Sequence, residues 1–428
     1  MLTYPDKIII KNKNKINKTI SLPGSKSLTN RALLIAALAE GRTNLQAALI
    51  AEDSQVMIEA LRELGIKIEI EHDNFRVHGL GGKIPSSKAS LDLKLSGTSI
   101  RFLTAMLTIA NGEYTLSGTK RMHERPIEDL IKSLRMLDVD ISSQHDNGCP
   151  PVMIKANGLK GGQTIIDGGS SSQYLSALLM ISPYAKEKIE ISLSGELQSK
   201  PFIDMTIKIM ADFGVNVQRD IYNKFIIEPQ TYKARTYAIE TDAMAAGYFW
   251  AAAAITGGRI KTNNIGNNSK QGDRRFADVL AEMGCTVNWT DNSCEVIAPQ
   301  DGILKGGTFD LNDMSDQAQT LAIVALFANS KVRIENIWNL RIKETDRLTA
   351  LYTELSKFGV TVIEEKDAIE IYPLKDLNVK NIAIDTYDDH RMAMAFALAG
   401  LRLENITINK PSCVQKTFPK FFEVLAKL

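Results

Sequence analysis

Lysines and arginines in this chain collect beside hydroxyl, amide and glycine residues where apolar segments begin. Lys26 and Arg31 stand in "LPGSKSLTNRALLIAALA", together with Gly24, Ser25, Ser27 and Asn30. Arg101 lies early in "SGTSIRFLTAMLTIA", and His390 and Arg391 open "HRMAMAFALAG". More cations occur in "RMHERP" (Arg121, Arg125), "QSKP" (Ser199, Lys200), "RIKETDR" (Lys343, Arg347) and "QKTFP" (Lys416). Free N–H groups and the positive dipole end make a helix start attractive to anions. Guanidinium adds a two-pronged grip on carboxylate or phosphate. A cleft lined by several such starts suits ligands with multiple negative charges. Two acids stand among the cations, Asp316 in "DMSDQAQT" and Glu344 in "RIKETDR". An acid beside a cation is ordinarily a salt bridge, but next to a bound anion it can also exchange protons. Each cation, taken alone, reads as a surface or structural residue, and Ser170–Ser172, Asp242 and Asp316 read as N-caps. Their return at matching points of the chain is what points to a site.

The elements that must carry these residues form a rhythm. Small-residue apolar helices follow polar openings at Ser25, Ser96, Ser170, Thr241, Ser315 and Asp388, roughly every 70–75 residues. Each is apolar on nearly all faces beyond its first turn, which predicts burial between layers. Amphipathic helices share the period, among them "EDSQVMIEALRELGI", "HERPIEDLIKSLRMLDV" and "TDRLTALYTELSKFGV", most of them ending at a glycine stop. Alternating runs such as "IKIEI" and "KFIIEP" follow as half-buried strands. The fold class is therefore α/β, with six repeats of a βαβαββ unit, three per domain. The sixth unit is split across the termini, since "KTFPKFFEVLAKL" reads as its last helix and "DKIIIK" supplies a missing strand. Residues 23–240 then form one domain and 1–22 with 241–428 a discontinuous second one, the chain crossing near 21–23 and 240–242.

Composition narrows the partners. Net charge is +1, from 51 basic and 50 acidic side chains, so nucleic acid and membrane surfaces are not expected. Cys149, Cys285, Cys294 and Cys413 form no CxxC pair, and neither a zinc site nor a disulfide framework is expected. No signal peptide or long apolar span is evident, which predicts a cytosolic chain. No Walker loop, GxSxG elbow or HExxH occurs, so nothing supports ATP-driven, serine-hydrolase or zinc-protease chemistry.

"LPGSKSLTNRAL", "SGTSIRFL", "RMHERPI", "DGGSSSQYLSALL", "QSKPFIDMT", "QGDRRFADVL", "NLRIKETDRL", "DDHRMAMAFAL" and "KTFP" together resemble the 5-enolpyruvylshikimate-3-phosphate synthases, nearly end to end. The resemblance implies a two-domain inverted α/β barrel and transfer of an enolpyruvyl group from phosphoenolpyruvate to shikimate 3-phosphate. It places shikimate 3-phosphate on Lys26, Ser27, Arg31, Ser171, Ser172, Gln173, Ser199, Asp316, Asn339 and Lys343. It places phosphoenolpyruvate on Lys26, Gly97, Arg125, Gln173, Arg347, Arg391 and Lys416. Asp316 is then the base at the 5-hydroxyl, with Glu344, assisted by Lys26, the proton donor to the methylene carbon. Neither metal nor organic cofactor is implied, a monomer is expected, and glyphosate is an expected competitor of phosphoenolpyruvate. Leu95, Phe102 and Phe202 depart from the family's frequent Asn, Pro and Tyr. A sister enzyme acting on UDP-N-acetylglucosamine would need a loop cysteine not found in "DGGSSSQ" or "SGTKRMHERP". An RNA 3′-phosphate cyclase, which shares the repeat unit, would need a nucleotidylated histidine, and His390 belongs instead to "DHRMAM". A non-catalytic anion-binding scaffold would have no use for Asp316, Glu344, Lys26 and Lys416 together.

Overall fold

The computed structural model describes residues 3–13, 15–169 and 171–428. Ser170, read above as a cap, lies outside the described residues. The chain divides into two compact units, Gly24–Ile239 and a second made of the segment up to Pro23 with Glu240–Leu428.

The middle repeat of Gly24–Ile239 shows the plan. Strand Lys88–Asp92 leads through helix Gly97–Leu107 to strand Asn111–Ser117; helix Glu128–Arg135 then leads to strands Asp140–Ser143 and Val152–Asn157. The first two strands are parallel, Ser90 opposite Thr115, and the last two add antiparallel, Tyr114 opposite Ile154 and Ile154 opposite Ile141. Parallel neighbours need a crossover, and the apolar helix provides it. Among the described residues five four-stranded sheets share this order, and a sixth sheet has three strands, Lys7–Ile9, Thr407–Asn409 and Ala383–Ile384.

Two repeats differ from a simple tandem reading. Strand Asn17–Ile20 precedes helix Lys26–Leu38 in sequence but pairs with Arg259–Asn263 in the other unit's first sheet. Strand Thr236–Ala238 precedes helix Ala243–Thr256 but pairs with Glu40–Gln46. Each unit thus takes its first parallel strand from the segment that ends at a crossing.

The apolar helices sit where their composition requires. Ala243–Thr256 is buried at every residue and packs with Ala318–Ala325 and His390–Ala399. Lys26–Leu38, Gly97–Leu107 and Ser172–Ile181 share the core of the other unit. Four of these six starts are fixed by side-chain caps: Ser25 accepts from Leu28 N (3.4 Å), Ser171 from Gln173 N (3.3 Å), Asp242 from Ala245 N (3.0 Å) and Asp389 from Arg391 N (2.9 Å). At Gly24 an added Cβ would lie 2.0 Å from the Ala47 carbonyl oxygen, so only glycine lets the chain pass there. Where the amphipathic helix Glu128–Arg135 ends without glycine, Asp138 takes the left-handed conformation instead (φ 63°).

Candidate active site

In Gly24–Ile239 the opening of the first buried helix places a full charge in the core. Arg31 is 2% exposed. Its Nε donates to Thr206 Oγ1 (2.7 Å), Nη2 to Ser176 Oγ (3.1 Å) and Nη1 to the Ser27 carbonyl (3.0 Å). The rings of Phe102 and Phe202 flank the guanidinium at 5.3 and 5.8 Å. Among the described residues no carboxylate pairs with it, and burial pulls its pKa down to about 9. Such a cation gains most from a bound anion. Lys26, one turn earlier, lies 3.4 Å from the buried Asp53.

The second and third buried helices of this unit meet through Arg101. It donates to Gln173 Oε1 (2.9 Å), to the Gly97 carbonyl (3.1 Å) and to the Pro126 carbonyl (3.2 Å). Gln173 Nε2 reaches Thr98 Oγ1 at 3.4 Å. A Cβ at Gly97 would sit 2.8 Å from Arg101 Nη1 and from both terminal nitrogens of Arg125. Bare backbone there lets two guanidinium groups close over the helix start. Ser171 caps the third helix and Ser172 is its first residue. Ser199, left-handed at φ 57°, precedes helix Lys200–Asp212, which carries Thr206.

The second unit assembles a different cluster. Arg347, with a side chain 1% exposed, binds three acids: Nη1 to Asp316 Oδ1 (2.8 Å), Nη2 to Glu344 Oε2 (2.8 Å), and Nε to Asp389 Oδ2 (2.7 Å). Arg391 Nη2 holds the other Asp316 oxygen at 2.7 Å. Lys416 Nζ reaches Glu344 Oε1 at 2.5 Å, and Lys343 Nζ lies 3.8 Å from Asp316. Burial opposes charge on Arg347 and Arg391, but their carboxylate neighbours outweigh it and hold both pKa values above the usual arginine range. Asp316 is not a helix cap; it lies in the 3-10 turn Asn312–Gln317, which turns it toward the arginines. Asn339 is buried one turn before Lys343, but the cluster's hydrogen bonds do not include it.

Three further buried acids lie near these cations, Asp53 beside Lys26 in one unit and Asp273 and Asp389 in the other. Asp389 was hidden behind Asp388, because either aspartate of "DDHR" fits a cap. Asp53 in "EDSQ" looked like an ordinary first-turn acid. Asp273 of "QGDRRFADVL" is buried, and burial, reinforced by Asp316, raises its pKa to about 7. His390 is buried too, and burial drives its pKa well below the usual imidazole value, leaving the ring neutral.

Six repeats of one α/β unit, with cations at buried helix starts in both units, have the architecture of an enolpyruvyl transferase. The sequence profile of EPSP synthase (3-phosphoshikimate 1-carboxyvinyltransferase) matches residues 10–425, and the chain belongs to that family. It is 46% identical over 415 residues to the 3-phosphoshikimate 1-carboxyvinyltransferase of Marinomonas sp. (strain MWYL1), covering 96% of each chain. It is 44% identical over 416 residues to the enzyme of that name from Trichormus variabilis, again covering 96% of each. The solved EPSP synthase of Acinetobacter baumannii superposes with a TM-score of 0.81 at 27% identity, over 98% of this chain and 97% of that one. Among the described residues no helix is long and apolar enough to cross a membrane.

Proposed function

We propose that this chain transfers the enolpyruvyl group of phosphoenolpyruvate to the 5-hydroxyl of shikimate 3-phosphate, releasing phosphate. The cluster around Arg347 carries the reading, because it holds three carboxylates, Asp316, Glu344 and Asp389, among cations suited to phosphate and carboxylate. Lys26, Ser27, Arg31, Ser171, Ser172, Gln173, Ser199, Asn339 and Lys343 hold shikimate 3-phosphate. Arg31 supports its part in this, being a buried cation paired, among the described residues, with hydroxyls, a carbonyl and ring faces. Gly97, Arg125, Arg347, Arg391 and Lys416, with Lys26 and Gln173, hold phosphoenolpyruvate.

Asp316 accepts the 5-hydroxyl proton as that oxygen attacks C2 of phosphoenolpyruvate. Glu344, assisted by Lys26, delivers a proton to C3. The tetrahedral adduct then expels phosphate while a methyl proton returns to the protein, regenerating the vinyl ether. Two arginines fix the Asp316 carboxylate, and Lys416 with Arg347 fixes Glu344, so both groups are positioned before substrate arrives. The enzyme works as a monomer in the cytoplasm, without nucleic acid or membrane partners.

The test is phosphate release from phosphoenolpyruvate with shikimate 3-phosphate, using UDP-N-acetylglucosamine as control acceptor. Release that requires shikimate 3-phosphate supports the reading. No release with either acceptor, from folded protein that still binds both anions, replaces it with the scaffold reading.

A further inference from the structure

Helix Arg347–Ser356 carries a buried carboxylate that the reaction does not use. Glu354 has a fully buried side chain and three donors: Lys357 Nζ (2.7 Å), the Asp385 backbone N–H (3.0 Å) and the Tyr387 hydroxyl (2.8 Å). Burying a carboxylate costs free energy unless donors surround it, so this arrangement is a specific one. Two of the three donors belong to one short segment, Asp385 to Asp389.

That segment is strained. Tyr387 and Asp388 are consecutive non-glycine residues in the left-handed conformation, at φ 54° and 53°. L-residues adopt this at a cost, and it persists where the surroundings over-determine it. Asp385 is tied further by Asn409 Nδ2 (2.8 Å) and Lys357 Nζ (3.1 Å), and the Asp389 N–H closes the turn on the Thr386 carbonyl (2.8 Å). The strained pair leads directly into Asp389, which takes Arg347 Nε and Nη2 at 2.7 and 3.2 Å and caps the helix bearing Arg391.

Arg347 and Glu354 lie two turns apart and so share one face of their helix. One rigid helix therefore grips the segment at both ends, Arg347 on Asp389 and Glu354 on Asp385 and Tyr387. We infer that Glu354 and Tyr387 are positioning residues: they hold the strained turn that sets Asp389, and through it the guanidinium groups of Arg347 and Arg391. The inference rests on the reading that these two arginines bind phosphoenolpyruvate.

Steady-state kinetics of Glu354→Gln, Tyr387→Phe and Arg391→Lys, with thermal midpoints for each, test it. Groups that orient ligand-binding side chains through a hydrogen bond commonly matter by about 10-fold, and the neutral Gln keeps part of the geometry. KM for phosphoenolpyruvate is expected to rise about 10-fold in Glu354→Gln and about 3-fold in Tyr387→Phe. KM for shikimate 3-phosphate stays within about twofold, and kcat falls by no more than KM for phosphoenolpyruvate rises, because the same arginines hold Asp316 and Glu344. Tyr387 is 42% exposed, so its phenylalanine variant folds and keeps the test alive if Glu354→Gln does not. An unchanged KM for phosphoenolpyruvate in Tyr387→Phe, or an equal rise in both KM values, overturns the inference, whatever the thermal midpoint does. Arg391→Lys separates the two levels. If it too leaves that KM unchanged, the phosphoenolpyruvate reading has failed; if it raises KM while the other variants do not, only the clamp has failed.

Discussion

Arg31 and Arg347 are equally buried, yet one is met by hydroxyls and aromatic faces and the other by three carboxylates. The first arrangement leaves a positive charge unneutralised in a low-dielectric setting, where an incoming anion supplies what the protein withholds. In the second, three carboxylates face Arg347, Arg391 and Lys416, so the charges already balance. Burial depth alone therefore does not say what an arginine is for. Its partners do: under the proposed reaction Arg31 is left for an anion to neutralise, whereas Arg347 holds the two carboxylates assigned to proton transfer.

The strongest test of this contrast removes an acid. Asp316→Ala should lower phosphate release about 10²- to 10⁴-fold in a folded protein, the usual range for a positioned base. A loss below tenfold would put the base elsewhere. The arginines should next part company in stability. Arg347→Met strands buried Asp389 and should cost about 3–5 kcal/mol in urea unfolding of its unit. Arg31→Met strands only hydroxyls and a carbonyl and should cost about 1–2 kcal/mol, while weakening shikimate 3-phosphate binding about 10- to 100-fold by calorimetry. Equal destabilisation by the two would dissolve the distinction.

Proton handling has its own signature in Asp273. Its folded pKa, about 7, lies above the ordinary carboxylate value of 3.8. The stability it contributes is fully present below pH 3.8 and is lost as pH rises through about 7. Wild type should thus lose more thermal stability than Asp273→Asn between pH 5 and pH 8, by a few kcal/mol at the most. Parallel pH profiles for the two proteins would show that Asp273 carries no such shift. The smallest effect is expected at Gly97→Ala, where the new methyl must push flexible guanidinium ends aside. KM for phosphoenolpyruvate should rise about 10-fold, roughly 1.4 kcal/mol, with little change in thermal midpoint.

Much of this was legible in the sequence, for identifiable reasons. Polar openings before small-residue runs marked the buried helices because capping and burial are both local demands on composition. The motifs around Lys26, Arg347 and Arg391 were visible because cations at helix starts are conspicuous. What stayed hidden was partnership at long range. Nothing near Arg31 announces Thr206 or Phe202, which come from a helix some 170 residues on. Glu354 reads as an exposed member of an amphipathic helix until Tyr387 and Asp385 are seen to bury it. Asp388 and Asp389 are indistinguishable as caps until the backbone makes the first left-handed. The exchange of Asn17–Ile20 and Thr236–Ala238 between sheets likewise follows from where the chain crosses, not from any property of those strands.

The three-stranded sheet that joins Lys7–Ile9 to Thr407–Asn409 sets a timetable for biosynthesis. Lys7–Ile9 must wait for Thr407–Asn409, made about 400 residues later, which at ribosomal rates of roughly 5–20 residues per second is on the order of 20–80 s. Throughout that interval Gly24–Ile239 emerges with all its strand partners in hand, whereas "DKIIIK" remains an unsatisfied edge. Its lysines and aspartate flank three isoleucines, the kind of charge that discourages a waiting strand from pairing with a stranger. A nascent chain stalled before residue 407 would hold that edge open, and its proneness to aggregate would report how well those flanking charges guard it.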